Sequence, residues 1–169
     1  MSYPKAYIIC ATPRSGTTLL CDLLTDTGVA GQPDSFFQLK SRQWWAQRLD
    51  VSTRNWADEH TFDKLFLAAV LKKGTSETSI FGMRLMWCDV PSLIKNLNML
   101  FPKPFDESVQ FKNIFGSIIF IHLSRKDKIS QAVSRIKAEQ SGLWHIDDQG
   151  NERERLKLGK TPIYNAKVI

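Results

Sequence analysis

The stretch Ala6–Thr18, reading A-Y-I-I-C-A-T-P-R-S-G-T-T, sets a short, wholly apolar run directly against a turn built from proline, arginine, serine and glycine. The run has strand length and no polar alternation, which predicts a strand covered on both faces in a parallel sheet. From Thr17 onward Leu19, Leu20, Leu23 and Leu24 recur at helical spacing, until Gly28 supplies a C-cap. The order is therefore strand, loop, helix. The amides of such a turn, added to the unpaired amides of the helix's first turn, form a positive concavity suited to phosphate. Gly16 lets the backbone approach an oxyanion, Thr17 and Thr18 add hydroxyls, and Arg14 adds a permanent charge on a planar fork. The same residues also suit an ordinary turn with a Ser/Thr cap.

Outward from this stretch, Phe62, Leu65, Phe66, Ala69 and Val70 form a second helical stripe, which Lys72-Lys73-Gly74 stops. Ile80–Trp87 (I-F-G-M-R-L-M-W) reads as a strand, and a helix opens near Asp89 and Pro91 with Leu93, Ile94 and Leu97 on one face. Ser117–Leu123 (S-I-I-F-I-H-L) has the strongest strand composition of the chain, with His122 expected as a buried core histidine. Asp127 caps a helix that carries Ile129, Ala132, Val133 and Ile136. Beyond Gln140 the chain turns polar, and a loop or peripheral helix is expected. Strands alternating with helices imply βαβ crossovers, hence the α/β class with a parallel sheet flanked by helices on both faces. A chain of 169 residues predicts a single domain over 1–169.

Composition narrows the function classes. Hydrophobic residues at 43%, aromatics at 11% and charged residues at 24% exclude disorder, collagen and coiled coil. The excess of 23 basic over 17 acidic residues favours an anionic ligand. No basic stripe with interleaved aromatics supports nucleic-acid binding, and Arg153–Lys160 reads as a solvated face. Cys10, Cys21 and Cys88 form no CxxC pair and are odd in number, which points to a reduced, cytoplasmic protein. No export signal and no apolar stretch of about 18 residues is present, so no membrane association is expected. His60 and His145 have no partners at ligand spacing, so no metal site is expected.

A P-loop NTPase places its lysine after the last glycine of the loop. Here Arg14 precedes Gly16, and the strand at Ser117–Leu123 runs into Ser124-Arg125 rather than a magnesium-binding aspartate, which argues against an ATP-dependent kinase. P-R-S-G-T-T after a first strand instead resembles the 5'-phosphosulfate loop of sulfotransferases that use 3'-phosphoadenosine 5'-phosphosulfate (PAPS). T-G-V-A-G-Q-P-D-S-F-F (27–37), G-M-R-L-M-W (82–87) and S-R-K-D-K-I-S-Q-A-V-S (124–134) resemble successive blocks of the trehalose 2-sulfotransferase family, in that family's order.

The resemblance implies a P-loop-like sulfotransferase fold. It also implies a chain that stops short of the family's C-terminal part. Pro13, Arg14, Ser15, Gly16, Thr17 and Thr18 would hold the 5'-phosphate and sulfuryl group, and Arg125 with Ser134, or with Ser130 one turn earlier, the 3'-phosphate. Arg84 stands where the family usually has a lysine beside the transferring group. It is equally well explained as a structural ion pair, since a charge on an apolar strand needs a partner. Gln32, Pro33, Asp34, Ser35, Phe36, Phe37 and Trp87 would contact the acceptor, although aromatics at this density also suit a core.

The family block reads G-E-P-x-E-F-F, and its second glutamate is the proposed general base. Gln32 and Ser35 occupy the two glutamate places here, which leaves Asp34 as the nearest carboxylate, although neighbours on an extended segment point to opposite sides. The expected function is transfer of a sulfuryl group from PAPS to a hydroxyl of a carbohydrate or other small metabolite, with the desulfated nucleotide (PAP) as product and no metal. The alternative is a degenerate relative that binds the nucleotide without catalysis. A homodimer is left open.

Overall fold

The structure is a computed structural model that describes residues 5–38, 42–51, 58–101, 106–147, 149–156 and 159–164. These residues group into two compact units. The first takes the chain up to Thr12 together with Gly16–Leu123, and the second takes Pro13–Ser15 together with the chain from Ser124 onward.

The first unit is built on three parallel strands, β1 (Ala6–Ala11), β2 (Phe81–Met86) and β3 (Ile118–Leu123), in the order β2-β1-β3. They are in step from Ala6 opposite Phe81 and Ile118 to Ala11 opposite Met86 and Leu123, so all three carboxyl ends lie along one edge. Connections that leave the central strand's two neighbours in this way create the crevice where open α/β sheets bind ligands. The helices are α1 (Thr17–Asp26), α2 (Arg42–Arg48), α3 (Glu59–Thr75), α4 (Val90–Leu100) and α5 (Glu107–Phe115).

Alternation along the strands assigns the two faces. Ala6 and Ile8 of β1 and Phe81, Met83 and Leu85 of β2 join Phe62, Phe66, Val70, Leu93, Leu97 and Phe115 in the larger core. Tyr7 and Ile9 face the other way and pack with Cys21, Leu20 and Leu24 of α1 and with Ala30 and Ile80. Helices thus cover both faces, as the sequence predicts. Within the larger core the buried Asp63 forms an ion pair with Arg42, whose guanidinium lies 4.9 Å from the Phe62 ring centre.

The sequence misplaces β3. Ile119, Phe120 and Ile121 are 47%, 56% and 37% exposed, and His122 is exposed rather than a core histidine. Among the described residues the strand lies at the sheet edge, bonded to β1 alone. The short helices α2 and α5 were not anticipated.

In the second unit, α6 (Lys128–Ser141) opens on Asp127, whose carboxylate accepts from the Ser130 amide, and closes on Gly142 with φ 74°. A loop or peripheral helix was expected after Gln140. The structure instead has β4 (Leu143–Ile146) and β5 (Glu152–Arg155) paired antiparallel. Their turn is organised by Asp147, whose carboxylate accepts from the amides of Gln149 and Asn151. Among the described residues no helix is long and apolar enough to cross a membrane.

Three glycines allow the segment after α1 to lie tight against β2. Gly31, at φ 72°, has no room for a side chain, because a Cβ there would overlap the carbonyl oxygens of Gly74 and Ile80. Gly82 leaves the space that the Tyr7 ring fills, and a Cβ on Gly74 would meet the Phe81 ring. Gly31→Ala is therefore expected to lower unfolding stability by about 3 kcal/mol, from backbone overlap added to left-handed strain. Chemical denaturation checks this, and a loss below about 1 kcal/mol would contradict the packing described.

Candidate active site

The loop after β1 is the first element of the site. Its residues Pro13–Ser15 belong to the second unit. Arg14 takes a left-handed backbone at φ 66°, which costs a non-glycine residue about 1 kcal/mol and needs an anchor. Its side chain provides one: Nε donates to the Ser134 hydroxyl at 2.9 Å, and Nη1 donates to the Trp144 carbonyl. Gln131, one turn before Ser134 on the same face of α6, donates from Nε2 to the Pro13 carbonyl at 2.8 Å.

Burial lowers the pKa of the Arg14 guanidinium from its ordinary value. The neighbouring charge of Glu154 opposes that shift and that of Arg125 adds to it. Arg125 itself is exposed. Its field also reaches Asp127, although the Ser130 hydroxyl and amide are the larger cause that holds that carboxyl low.

These contacts separate the two serines that the sequence left open. Ser130 is consumed by the helix cap, donating from its hydroxyl to Asp127 Oδ2 at 2.6 Å. Ser134 meets Arg14. Because the Ser134 oxygen accepts from Arg14, its own proton is left for another acceptor, and none exists among the described residues. Arg14 Nη2 also has no hydrogen-bond partner among the described residues. A bound anion would find both groups ready to donate, so the residues fit a phosphate-bearing ligand.

The second constellation lies in the first unit. Gly16, at φ 90°, precedes Thr17 at the start of α1, and Thr17 is buried. Arg84 pairs in register with Ile9, so its side chain leaves β2 on the face that α1 covers. Nε of Arg84 donates to Ser35 Oγ at 2.7 Å, Nη1 donates to Thr18 Oγ1 at 2.9 Å, and Nη2 lies 3.4 Å from Asp34 Oδ1. The Arg84 side chain is only 14% exposed. The strand reading thus required a partner for Arg84, and the structure supplies three.

Asp34 and Ser35 were expected on opposite sides of an extended segment, but both side chains reach Arg84. The reason is local: Asp34 Oδ1 turns back to accept from the Ser35 amide at 2.7 Å. The segment that carries them is held at several points. The Tyr7 hydroxyl donates to the Ala30 carbonyl at 2.7 Å, the Gln32 amide to Gly74, the Arg84 amide to the Asp34 carbonyl and the Trp45 indole to the Ser35 carbonyl at 3.0 Å. Burial pushes the Tyr7 hydroxyl up to about 12, which keeps it a donor at neutral pH.

The remaining residues expected at the acceptor divide. Phe36 and Phe37 are core residues at 0% and 4% exposure, packed edge-on against Trp45 and Phe66. Their place in the acceptor block reflects packing. Pro33 is buried as well, and Gln32 accepts from Lys73 Nζ at 2.7 Å. Trp87 follows β2 in a short helical turn and is 77% exposed. Sequence reasoning missed Gln131, Trp144 and Tyr7. Only Gln131 had a signal, its spacing of three from Ser134.

A family model described as Stf0 sulphotransferase matches residues 6–169. The chain belongs to the Stf0 sulphotransferase family. It is similar to trehalose 2-sulfotransferase of Mycolicibacterium smegmatis, 32% identical over 159 residues that cover 84% of this chain and 60% of the relative. It is also similar to trehalose 2-sulfotransferase of Mycobacterium tuberculosis strain Erdman, 30% identical over 158 residues, 83% of this chain and 59% of the relative. The chain therefore spans about three-fifths of the length of these relatives. The three-stranded parallel sheet flanked by helices is consistent with the fold of that family.

Gln131→Ala removes the donor to Pro13 from a buried position. It is expected to cost about 1 to 2 kcal/mol of stability and to speed hydrogen exchange at the amides of Arg14 and Ser15. Unchanged exchange there would show that the loop does not depend on Gln131.

Proposed function

We propose that this chain transfers a sulfuryl group from PAPS to a hydroxyl of a small acceptor, most naturally a sugar, as the names of its relatives suggest. The observation that carries the reading is the link between Arg14 in the loop after β1 and Ser134 on α6, within a chain of the Stf0 family. A guanidinium and a hydroxyl that brace one another and each keep a donor for an anion suit a phosphate-bearing nucleotide. Arg125 adds charge to the same group of residues, as its effect on Arg14 attests.

Gly16, Thr17 and Thr18 at the start of α1 would receive the sulfuryl end, where amides and hydroxyls stabilise charge on non-bridging oxygens. The donor supplies a sulfur centre carried on a phosphate leaving group. As the acceptor oxygen bonds to sulfur, the bond from sulfur to the phosphate oxygen breaks, and the electron pair stays on the phosphate. The acceptor proton passes to Asp34, whose side chain is 48% exposed and whose Oδ1 is fixed by the Ser35 amide and Arg84. Arg84 supplies positive charge beside Thr18 and holds the carboxylate in place. Cys10, Cys21 and Cys88 form no disulfide among the described residues, which suits a reducing cytoplasm.

Arg14→Ala and Arg125→Ala are each expected to weaken affinity for the desulfated nucleotide by about tenfold or more, or about 1.4 kcal/mol. Calorimetry showing unchanged affinity in both variants would remove the donor assignment. Asp34→Asn is expected to abolish transfer while nucleotide affinity stays within about twofold. Full turnover in that variant would clear Asp34 of the proton-accepting role, and nucleotide binding without turnover in the parent chain would favour a non-catalytic binder.

A further inference from the structure

Ser35 combines three properties that a packing residue does not need. It is 6% exposed, its hydroxyl oxygen accepts from Arg84 Nε at 2.7 Å, and its hydroxyl proton has no acceptor among the described residues. A buried hydroxyl that accepts from a cation is polarised, and its remaining capacity is that of a donor. Leaving that donor unused would cost on the order of 1 to 3 kcal/mol. The position is also stiff. The Ser35 amide donates to its neighbour's carboxylate, and its carbonyl accepts from the buried indole of Trp45, so the hydroxyl is set on backbone fixed at both ends.

We infer that Ser35 is a substrate-contacting donor, which uses its Arg84-polarised hydroxyl to hold an oxygen of the transferring sulfuryl group. The inference rests on the sulfotransferase reading and deepens it by naming a residue whose lack of a carboxylate makes it unfit as a base. The geometry supports a tetrahedral oxyanion over a neutral hydroxyl as its ligand. Arg84 joins Ser35 to Thr18, itself beside the start of α1, so both hydroxyls are governed by one cation. An oxygen that gains negative charge in the transition state binds such a donor more strongly than it does in the ground state.

The test uses the full chain with inorganic sulfate as the oxyanion probe and the desulfated nucleotide as control, both by calorimetry, together with turnover of PAPS. Ser35→Ala is expected to weaken sulfate binding by about fivefold or more and to lower kcat by about tenfold to a hundredfold. Affinity for the desulfated nucleotide, which lacks the sulfuryl group, should stay within about twofold. Ser35→Thr, which keeps the hydroxyl, should retain sulfate affinity within about threefold.

Unchanged sulfate affinity and kcat in the alanine variant would overturn the inference. Equal losses of sulfate and nucleotide affinity would overturn it too, by showing that Ser35 merely supports Arg84 and its surroundings, as would a threonine variant as impaired as the alanine. If the unaltered chain binds sulfate through Ser35 but neither binds the nucleotide nor turns over PAPS, the sulfotransferase reading fails while the donor role of Ser35 survives as an oxyanion contact.

Discussion

An arginine side chain held at 14% exposure on a strand between sheet and helix is costly unless its guanidinium is met by oxygens, and Arg84 imposes that demand on its surroundings. Its three nitrogens are met by three groups from two places: Thr18 on α1, and Asp34 and Ser35 on the segment that follows α1. The register that sets Arg84 opposite Ile9 turns it towards α1, and the opposite parity would have sent it into the larger core among Ile8, Met83 and Leu85. One strand residue thereby fixes where the first turn of α1, the Asp34 carboxylate and the Ser35 hydroxyl stand relative to one another. Charge and hydrogen bonding at this point are a single constraint.

That constraint works only because the segment carrying Asp34 and Ser35 can come close to β2. Gly31 passes under the carbonyls of Gly74 and Ile80, Gly82 admits the Tyr7 ring, and the Arg84 amide bonds the Asp34 carbonyl. The segment runs along the edge of β2 without becoming a strand, and it ends in Phe36 and Phe37, which enter the core. Core burial of the aromatic pair therefore anchors a stretch whose polar side chains remain beside Arg84.

Much of this was legible in the sequence, for reasons that can be stated. The apolar run Ala6–Ala11 before a glycine-bearing turn admits few structures, and the helical periods after Thr17 and around Phe62 and Phe66 fixed α1 and α3. The demand of Arg84 for a partner followed from burial alone. Its partners did not, because a contact between β2 and a segment about 50 residues earlier depends on register and on glycine spacing rather than on local pattern. The Asp34 side chain was misjudged for a different reason. Alternation describes where a strand's side chains start, whereas a short carboxylate that captures the next amide bends back across the chain. Arg14 shows the same limit, since composition identified the anion-seeking cation but not that Ser134 and the Trp144 carbonyl would occupy two of its nitrogens.

The hairpin β4–β5 and the strand β3 mark the other boundary of sequence reading. The hairpin's turn is held by one aspartate that gathers two amides, and its second strand, E-R-E-R, is too polar for a hydrophobic period to reveal. β3 fails in the opposite sense. Its sequence I-I-F-I-H-L is apolar on both faces, as suits a strand covered from both sides, yet it lies at the edge with Ile119, Phe120 and Ile121 exposed and with Leu19 and Leu23 of α1 exposed in the same unit. Hydrophobicity records that a strand is made to be covered, and it carries no address for the covering element. That the segment forms a strand follows from its composition, whereas the exposure of its faces is settled by which other elements the chain brings against them.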